Sequence, residues 1–433
     1  MYLKIDLETY TKLENIEFSP EVDLTASSMP INEFTVDVYT TNTIALGQFA
    51  ELYDDLDNLW AKYWIVYSER LNADALRLRA RSRLSALDGV TLDAVMYNNA
   101  SVPTVLQSVM VSQTSIPGMV ATIDYSLDSS FNSATLTGFC PEQTARERLT
   151  WICLVIGAYV KTFFNDEPEI LPIDATEALV PVSDTFWRPT VTYKDHVSAV
   201  KVKSYSFAQG TPATTDEWVT DGTNYYIVTE ADNALANPDA PSGTDNPVTI
   251  EGVYLINSAN VSAIMSRFSQ MAFKRTEVEL DIIDNAERIP GDKLVVYSDV
   301  NQLMSGFAAS CDFAFGKQAR AKVKLIASET KQSARLTITY RYSNRRIGRR
   351  TYRFPVGYAY EIDNPYIDWS MNGHQYVFRP TTAKVTGTMQ STNTSVDVTY
   401  AIALDLYEGA LHVVSVDAVS VDSSGDYDVA VIS

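Results

Sequence analysis

Hydrophobic and polar positions alternate with a period of two along much of the chain. Phe34, Val36 and Val38 alternate with Thr35, Asp37 and Tyr39, the pattern of a strand with one buried face. Leu76, Leu78 and Ala80 alternate with Arg77, Arg79 and Arg81, so these arginines share a strand face. The pattern runs on through ALRLRARSRL to a stop at Asp88-Gly89. Between these segments lies FAELYDDLDNLW, where Phe49, Leu52, Leu56 and Leu59/Trp60 recur at helical spacing. The spacing predicts a short helix over Gly47–Trp60 within an otherwise extended first segment. Strands around one helix suit a small barrel or sandwich.

From about residue 90 the pattern changes. Ser101 is placed to cap a helix with Pro103 in its first turn and Val102, Val105, Leu106, Val109 and Met110 as its apolar stripe, ended by Ile116-Pro117-Gly118. Short strands are expected around Ala121–Tyr125 and Ala134–Thr137. A second helix is expected from Pro141 and Glu142, with Ala145, Leu149, Ile152, Cys153 and Ile156 on one face and Gly157 as its stop. Residues 159–164 and Glu169–Ile173 read as a hairpin packed on it.

A third segment opens on Val200 and Val202, alternating with Lys201 and Lys203, and continues with a strand over Asn224–Val228. Residues 233–247 are rich in Pro, Gly, Asp and Asn and predict a long exposed loop. Asn257 is placed to cap a helix over 259–273, with Val261, Ile264, Met265, Phe268 and Ala272 on one face. Strands are expected over Glu277–Ile283, 293–299 and Phe307–Phe315. The last hundred residues give strand candidates at Arg335–Tyr342, Arg349–Phe354, Tyr376–Phe378, Ser395–Leu406, Leu411–Val421 and Asp428–Ile432. Ser433 follows directly on a strand, so no enzymatic or adhesive domain is expected beyond it.

The expected class is therefore α+β, mostly β, and multi-domain. Two barrel-like β domains, 1–90 and 186–327 (the latter with helix 259–273), flank an α+β domain over 91–185, and a β-rich segment covers 328–433. A length of 433 residues is ample for several cores. Hydrophobic residues make up 46% and charged residues 20%, too apolar for general disorder.

Charge narrows the function. There are 34 Lys+Arg against 54 Asp+Glu, a net charge of −20. That sign opposes general nucleic-acid binding, which draws on cations that release phosphate counterions, and equally opposes adsorption to anionic lipid. It favours a surface that polyanions pass without sticking. The start MYLKIDLETY has no charged stretch followed by an apolar core, so no secretory signal is expected. The most apolar run, Leu149–Phe164, is interrupted by Lys161 and falls short of the ~20 residues of a membrane helix; no membrane insertion is expected.

Candidate chemistry is sparse. Cys140, Cys153 and Cys311 have no CxxC spacing and an odd count, which suits small buried apolar residues better than a disulfide or zinc framework. His196, His374 and His412 are remote from one another in sequence and lack neighbouring ligands. None of the nucleophile-elbow, zincin, phosphate-loop or dinucleotide motifs is present. Asp54, Asp55 and Asp57 form the one carboxylate cluster on an expected helix, read as a solvated helix face rather than a hard-cation site. We expect no catalytic residue, cofactor or metal.

One block breaks the acidic trend. Lys317, Arg320, Lys322, Lys324, Lys331, Arg335, Arg341, Arg345, Arg346, Arg349, Arg350 and Arg353 are accompanied only by Glu329. TYRYSNRRIGRRTYRF reads as two strands joined at Ser343–Gly348, with arginines near the hairpin tip. Tyr340, Tyr342 and Tyr352 leave a nucleic-acid reading open. An intersubunit contact is the other reading, because the chain also offers acidic stretches at Asp6–Asp37 and Asp397–Asp428. Arg341, Arg345, Arg346, Arg349, Arg350 and Arg353 are the interface candidates.

The order of these signals resembles the phage tail hub proteins, also called baseplate hub or tail-associated hub proteins. Residues 48–55 (QFAELYDD), the following YWIVYSER and RSRLSALD (81–88) resemble the first hub barrel. Thr144-Ala145-Arg146-Glu147, leading through an apolar stripe to Gly157-Ala158-Tyr159, is similar to the family's helix. Pro290-Gly291-Asp292 and Lys293–Tyr297, closing on Ser305-Gly306-Phe307, resemble the turn and return strand of the late barrel. The likeness spans about 30 to 327; the 233–247 insertion and the 328–433 segment depart from it, and no cell-wall hydrolase segment is recognisable.

The resemblance implies a homotrimer without catalysis. Two barrel-like domains per chain give pseudo-sixfold symmetry, joining a hexameric tail tube to a threefold tip and forming part of the DNA conduit. Phe34, Val36, Val38, Phe49 and Leu52 are the candidates for the tube-like wall. Implied partners are the chain itself, a tail tube or distal tail protein, tip or spike and tape-measure proteins, and DNA that passes without specific binding. The implied location is the virion tail, assembled in the host bacterial cytoplasm. Two rival readings stay open: a receptor-binding or adhesin module, using the Tyr225/Tyr226 region and the 233–247 loop for glycan, and a cell-wall enzyme. The acidic balance predicts a predominantly negative lumen with the basic block turned away from it.

Overall fold

A computed structural model describes residues 1–110, 123–165, 167–172, 177–179, 189–214, 217–283, 290–297, 303–314, 320–329, 332–347, 350–363, 383–384, 395–407, 410–422 and 428–429. The chain is mostly β, with three α-helices among the described residues. It divides into two compact units, Met1–Leu294 with Gly306–Ala327, and Val295–Ser305 with Ser328–Ser433.

The first unit is organised by one large sheet. The strands along its main path are β1 (Tyr2–Ile5), β2 (Glu8–Tyr10), β3 (Leu13–Phe18), β4 (Glu33–Tyr39), β5 (Phe49–Tyr53), β6 (Leu59–Asn72), β7 (Ala75–Arg81), β8 (Thr190–Tyr193), β9 (Thr276–Ile283), β10 (Leu303–Ala314) and β11 (Arg320–Glu329), and Lys293–Tyr297, paired with Glu177–Leu179, joins it off this path at β10. They lie in the order β8-β9-β11-β10-β3-β4-β7-β6-β5-β1-β2. Early and late strands thus meet where β10 pairs with β3, through Phe313 opposite Phe18 and Ala314 opposite Glu17.

The helix expected over Gly47–Trp60 is absent; β5, a turn and the start of β6 occupy those residues. Ala50 and Leu52 are buried on a two-residue period, whereas Leu56, assigned to the helical stripe, is 82% exposed at the tip. Asp54 closes the turn, its Oδ1 accepting from the backbone N–H of Leu56 and of Asn58, each at 2.8 Å. Asp57 sits at φ 65°, a conformation that Asp tolerates better than most residues. A cluster of Asp and Asn fixed a hairpin, and the helical spacing of the apolar residues across it was coincidental. The extended run also ends sooner than expected, because Arg83–Gly89 form a 3-10 helix.

Helices α1 (Val102–Met110), α2 (Ala145–Ile156) and α3 (Val261–Ala272) pack in a common apolar core. That core draws Trp64 and Leu84 from the first segment, Val105, Leu149 and Ile152 from the second, and Val200, Ile264 and Phe268 from the third. Helix α2 starts at Ala145, later than Pro141. Thr144 Oγ1 accepts from the Glu147 N–H at 3.2 Å and Glu147 Oε2 accepts from the Thr144 N–H at 2.9 Å, a reciprocal cap that sets the first turn. Gly157 ends α2 at φ 82°, as expected. Helix α3 follows Asn260; Asn257 instead holds the preceding turn, accepting from the Ala259 N–H at 2.9 Å.

Smaller elements complete the unit. Thr135–Cys140 pairs with Val95–Ser101, extending the strand expected at Ala134–Thr137. No strand covers residues 123–125; the strand there is Ser126–Leu127, and residues 116–118 and 121–122 lie outside the described residues. Ala158–Lys161 and Glu169–Pro172 form the expected hairpin. The strand expected at Asn224–Val228 runs over Tyr225–Ala236, so it takes in the start of the 233–247 segment. The loop beyond is anchored by Asn237, whose Nδ2 donates to the Val197 carbonyl at 2.8 Å.

The second unit contains a four-stranded antiparallel sheet of β12 (Gln332–Ile347), β13 (Arg350–Asp363), β14 (Ser395–Tyr407) and β15 (Ala410–Asp422), in the order β13-β12-β14-β15. Ser343, Asn344, Arg345, Arg346 and Ile347, expected in the turn, are instead paired with Phe354, Arg353, Tyr352, Thr351 and Arg350; residues 348–349 lie outside the described residues. Ala383–Lys384 pairs with Asp428–Val429. The strand candidate Tyr376–Phe378 and His374 lie outside the described residues. Among the described residues, no helix is long and apolar enough to cross a membrane.

Candidate assembly site

The wall candidates fall in one sheet. Phe34, Val36 and Val38 of β4 and Leu52 of β5 are buried on its apolar face. Phe49 is half-buried, stacked on Trp64 at 6.5 Å and lying beneath the Arg83 guanidinium at 4.8 Å. With alternate residues committed to the core, the intervening ones form a second, polar face.

That polar face is a lattice of ion pairs dictated by register. Asp37 lies opposite Arg77, and Glu33 opposite Arg81. Arg77 donates twice to Asp37, at 2.8 and 2.9 Å, and Asn15 adds a third bond at 2.6 Å. The Arg77 contact holds the Asp37 carboxyl below its ordinary value, and partial burial opposes this. Arg81 reaches Glu33 at 3.0 Å, and Lys62 reaches Glu51 at 3.1 Å. Arg79 lies over the Tyr67 ring at 5.6 Å. The late strands repeat the arrangement, with Lys324 on Glu277 at 3.3 Å, Lys322 on Glu279 at 2.8 Å, and Lys194 also paired with Glu277. The shared face of Arg77, Arg79 and Arg81 was legible in sequence; their acidic partners were not, because they lie on strands remote in the chain.

At the joint between early and late strands, an aromatic cluster packs beside the backbone pairing. Phe18 stacks on Phe313 at 6.0 Å and meets Trp60 and Tyr63 edge-on at 6.4 and 6.3 Å. Trp60 meets Phe313 at 4.8 Å and Phe164 at 5.1 Å. Such pairs add about 0.5–1.5 kcal/mol beyond area burial.

The short motifs converge beside this sheet. Gly291 of the Pro290-Gly291-Asp292 turn has φ 99°, and a Cβ there would stand 2.7 Å from the Tyr159 hydroxyl. Tyr159 belongs to the Gly157-Ala158-Tyr159 segment that ends α2, so two motifs far apart in sequence are in contact. The Gly291 N–H donates to the Ala308 carbonyl, and the Ala308 N–H to the Asp292 carbonyl, both at 2.8 Å, tying the turn to the strand after Gly306. A Cβ at Gly306 would stand 2.5 Å from the Ile326 carbonyl oxygen, which explains a glycine in mid-strand.

The remaining candidates are structural. Asp54 is consumed by its turn, Asp57 accepts from Tyr2 at 2.6 Å, and Asp55 pairs with the amino terminus. Among the described residues, no three His, Cys, Asp or Glu side chains are grouped to hold a metal. The three cysteines are buried thiols, outside any disulfide. Burial pushes the Cys140 and Cys153 thiols up to about 12, which suppresses the thiolate. Arg341, Arg345 and Arg346 lie on β12 and Arg350 and Arg353 on β13; Arg349 lies outside the described residues.

No protein-family model and no curated protein matches the chain by sequence. Solved structures do match. A tail protein from Neisseria meningitidis aligns at a TM-score of 0.52 and 11% identity, over 76% of this chain and 95% of its own. The 43 kDa tail protein of prophage MuSo2 from Shewanella oneidensis aligns at 0.51 and 12% identity, over 75% and 97%. The fold is that of these phage tail proteins. At this level of identity, the likeness lies in the arrangement of elements. It takes in nearly the whole of each tail protein and leaves about a quarter of this chain unmatched.

Proposed function

We propose that this chain is a structural hub of a phage tail, or of a phage-derived tail-like particle. Three copies form a ring that joins the hexameric tube to a threefold tip. One observation carries this reading: the large sheet joins early and late strands edge to edge at β3 and β10, yet ends in β8 on one side and β2 on the other. A joint made once within the chain can be repeated between copies, and a heterologous contact of that kind closes into a ring when its rotation is a whole fraction of a turn. The tail-protein fold supports the reading.

In this ring Phe34, Val36, Val38 and Leu52 form the apolar backing of the wall, while Phe49, also a wall residue, lies on the other face beside Lys62. The ion-pair lattice faces the passage; it takes in Lys322 and Lys324 of the basic block, so in this reading the wall is charge-paired rather than predominantly negative, and leaves little free charge to hold DNA in transit. The role needs no catalytic step or cofactor. Tube or distal tail, tip or spike, and tape-measure proteins are the partners, and the particle is assembled in the host bacterial cytoplasm.

Size-exclusion chromatography with light scattering, on the full chain alone and mixed with tube and tip proteins, is expected to give a trimer. A monomer in every mixture overturns the proposal. One exposed feature favours a second reading, as a receptor-binding module: Trp218 and Tyr225, 46% and 48% exposed, meet edge to face at 5.1 Å. Glycan-array binding by the isolated chain that is abolished by Trp218→Ala would favour that reading; no binding is expected.

A further inference from the structure

One end of the large sheet carries exposed leucines on three turns. Leu7 lies in the β1–β2 turn, Leu46 in the segment before β5, and Leu71 beside the tip of the β6–β7 hairpin. They are 101%, 61% and 43% exposed. Register puts these turns at the same end. Ile5 pairs with both Glu8 and Ala50, Phe49 with Trp64, and Asn72 with Ala75. Leu56 lies at the opposite end, in the turn after Tyr53.

Side chains stitch the three turns into one plate. Arg70 Nη1 donates to the Thr40 carbonyl at 2.7 Å and Nη2 to the Asn42 carbonyl at 2.8 Å, tying the β6–β7 hairpin to the segment after β4. Asn42 Nδ2 in turn donates to Glu8 Oε2 at 3.2 Å. Gln48 Nε2 donates to Asp6, and Gln48 Oε1 accepts from the Ala45 N–H at 3.1 Å, so the Leu46 segment is clipped to the β1–β2 turn. Single exposed leucines are ordinary. Three on turns bonded to one another form a prepared surface, because little conformational freedom is left to lose on contact.

We infer that this end of the sheet seats an adjoining ring protein of the tail, which meets it with apolar sockets bordered by Lys or Arg. This rests on the hub reading and adds where the neighbour docks. Copies joined edge to edge through β2 and β8 leave the strand ends at the two rims of the ring, so turns face whatever is stacked above or below. Charge selects the occupant. Leu7 lies between Asp6 and Glu8, both exposed, and Asp74 is exposed three residues from Leu71. Arg70 and Lys12, cations at this end, are engaged, one on backbone carbonyls and the other over the Tyr39 ring at 4.0 Å. Two copies meeting through this end would set acid against acid, and anionic lipid is opposed in the same way; a basic border on a different protein is complementary.

The test measures binding of the full chain to the tail tube protein and to the tip protein by surface plasmon resonance, with light scattering on the same samples. Leu7→Ser combined with Leu46→Ser should keep the wild-type oligomer and weaken binding to one of the two neighbours at least about tenfold, leaving the other unchanged. Leu56→Ser, at the opposite end, should not weaken binding to that same neighbour. Glu8→Gln should weaken it less and reduce its salt dependence. Gln48→Ala keeps every leucine but loses the clip that positions Leu46, and should weaken it as well; circular dichroism checks that each variant is folded. A wild type that binds neither neighbour removes the hub reading and this inference together. Where the wild type binds either one, a folded Leu7→Ser/Leu46→Ser variant that binds equally well overturns the inference alone. So does an equal loss on Leu56→Ser.

Discussion

Gly138→Ala is expected to destabilise the first unit by about 3 kcal/mol, the sum of a strained backbone and an overpacked contact. Gly138 has φ 141°, and a Cβ there would stand 2.5 Å from the Tyr254 carbonyl oxygen and 2.9 Å from the Leu255 Cα. Both obstacles are backbone, so no side-chain rotation relieves them. The neighbourhood is also tightly bound. The Phe139 N–H donates to the Tyr254 carbonyl at 3.3 Å, and Asn257 Nδ2 donates to the Thr137 carbonyl at 3.0 Å. Relief would therefore separate the Thr135–Cys140 strand from residues 254–257 and open the core shared with α3. Urea denaturation of the full chain measures the effect. A loss below about 1 kcal/mol, the typical single-mutation value, would mean that these two segments do not press together as described.

Phe18→Ala should cost about 3–5 kcal/mol, the usual range for emptying a buried aromatic site. Phe18 is 1% exposed and touches Phe313, Trp60 and Tyr63. It also occupies one of the register positions that join β3 to β10, a joint that backbone bonds between residues 20–22 and 309–311 continue. Phe18→Leu should cost far less, because most of the volume is kept. Combining Phe18→Ala with Phe313→Ala should cost less than the sum of the single changes, since each removes the other's partner. Strict additivity in the same denaturation assay would show that the two rings do not form one cluster. The result bears on function because the proposed ring repeats this joint between copies.

The sequence was most legible where a local rule had a single solution. Alternation in Phe34–Val38 and Leu76–Ala80 identified the buried faces, and both were found buried. The Thr144–Glu147 spacing held a capping box, although the helix start was placed too early because Pro141 also suits a first turn. The hairpin at Asp54–Asn58 was misread because apolar spacing was weighed above turn chemistry. Asp-Asp-Leu-Asp-Asn satisfies its backbone with its own side chains, and that local bond outweighs a helical stripe with few residues to sustain it. The convergence of Tyr159 with Gly291 had no local signal, since each motif is complete in itself and the contact exists only between them.

The sequence by itself determined which side of each strand is apolar, where α2 is capped and stopped, and that positive charge is gathered between Lys317 and Arg353 in an acidic chain. The tertiary structure alone decided which strands are neighbours. A period of two is the same for every strand and carries no address, so sheet order follows from long-range packing such as the meeting of Phe18 with Phe313. Sheet order in turn set Arg77 against Asp37 and left β2 and β8 as the ends of one sheet.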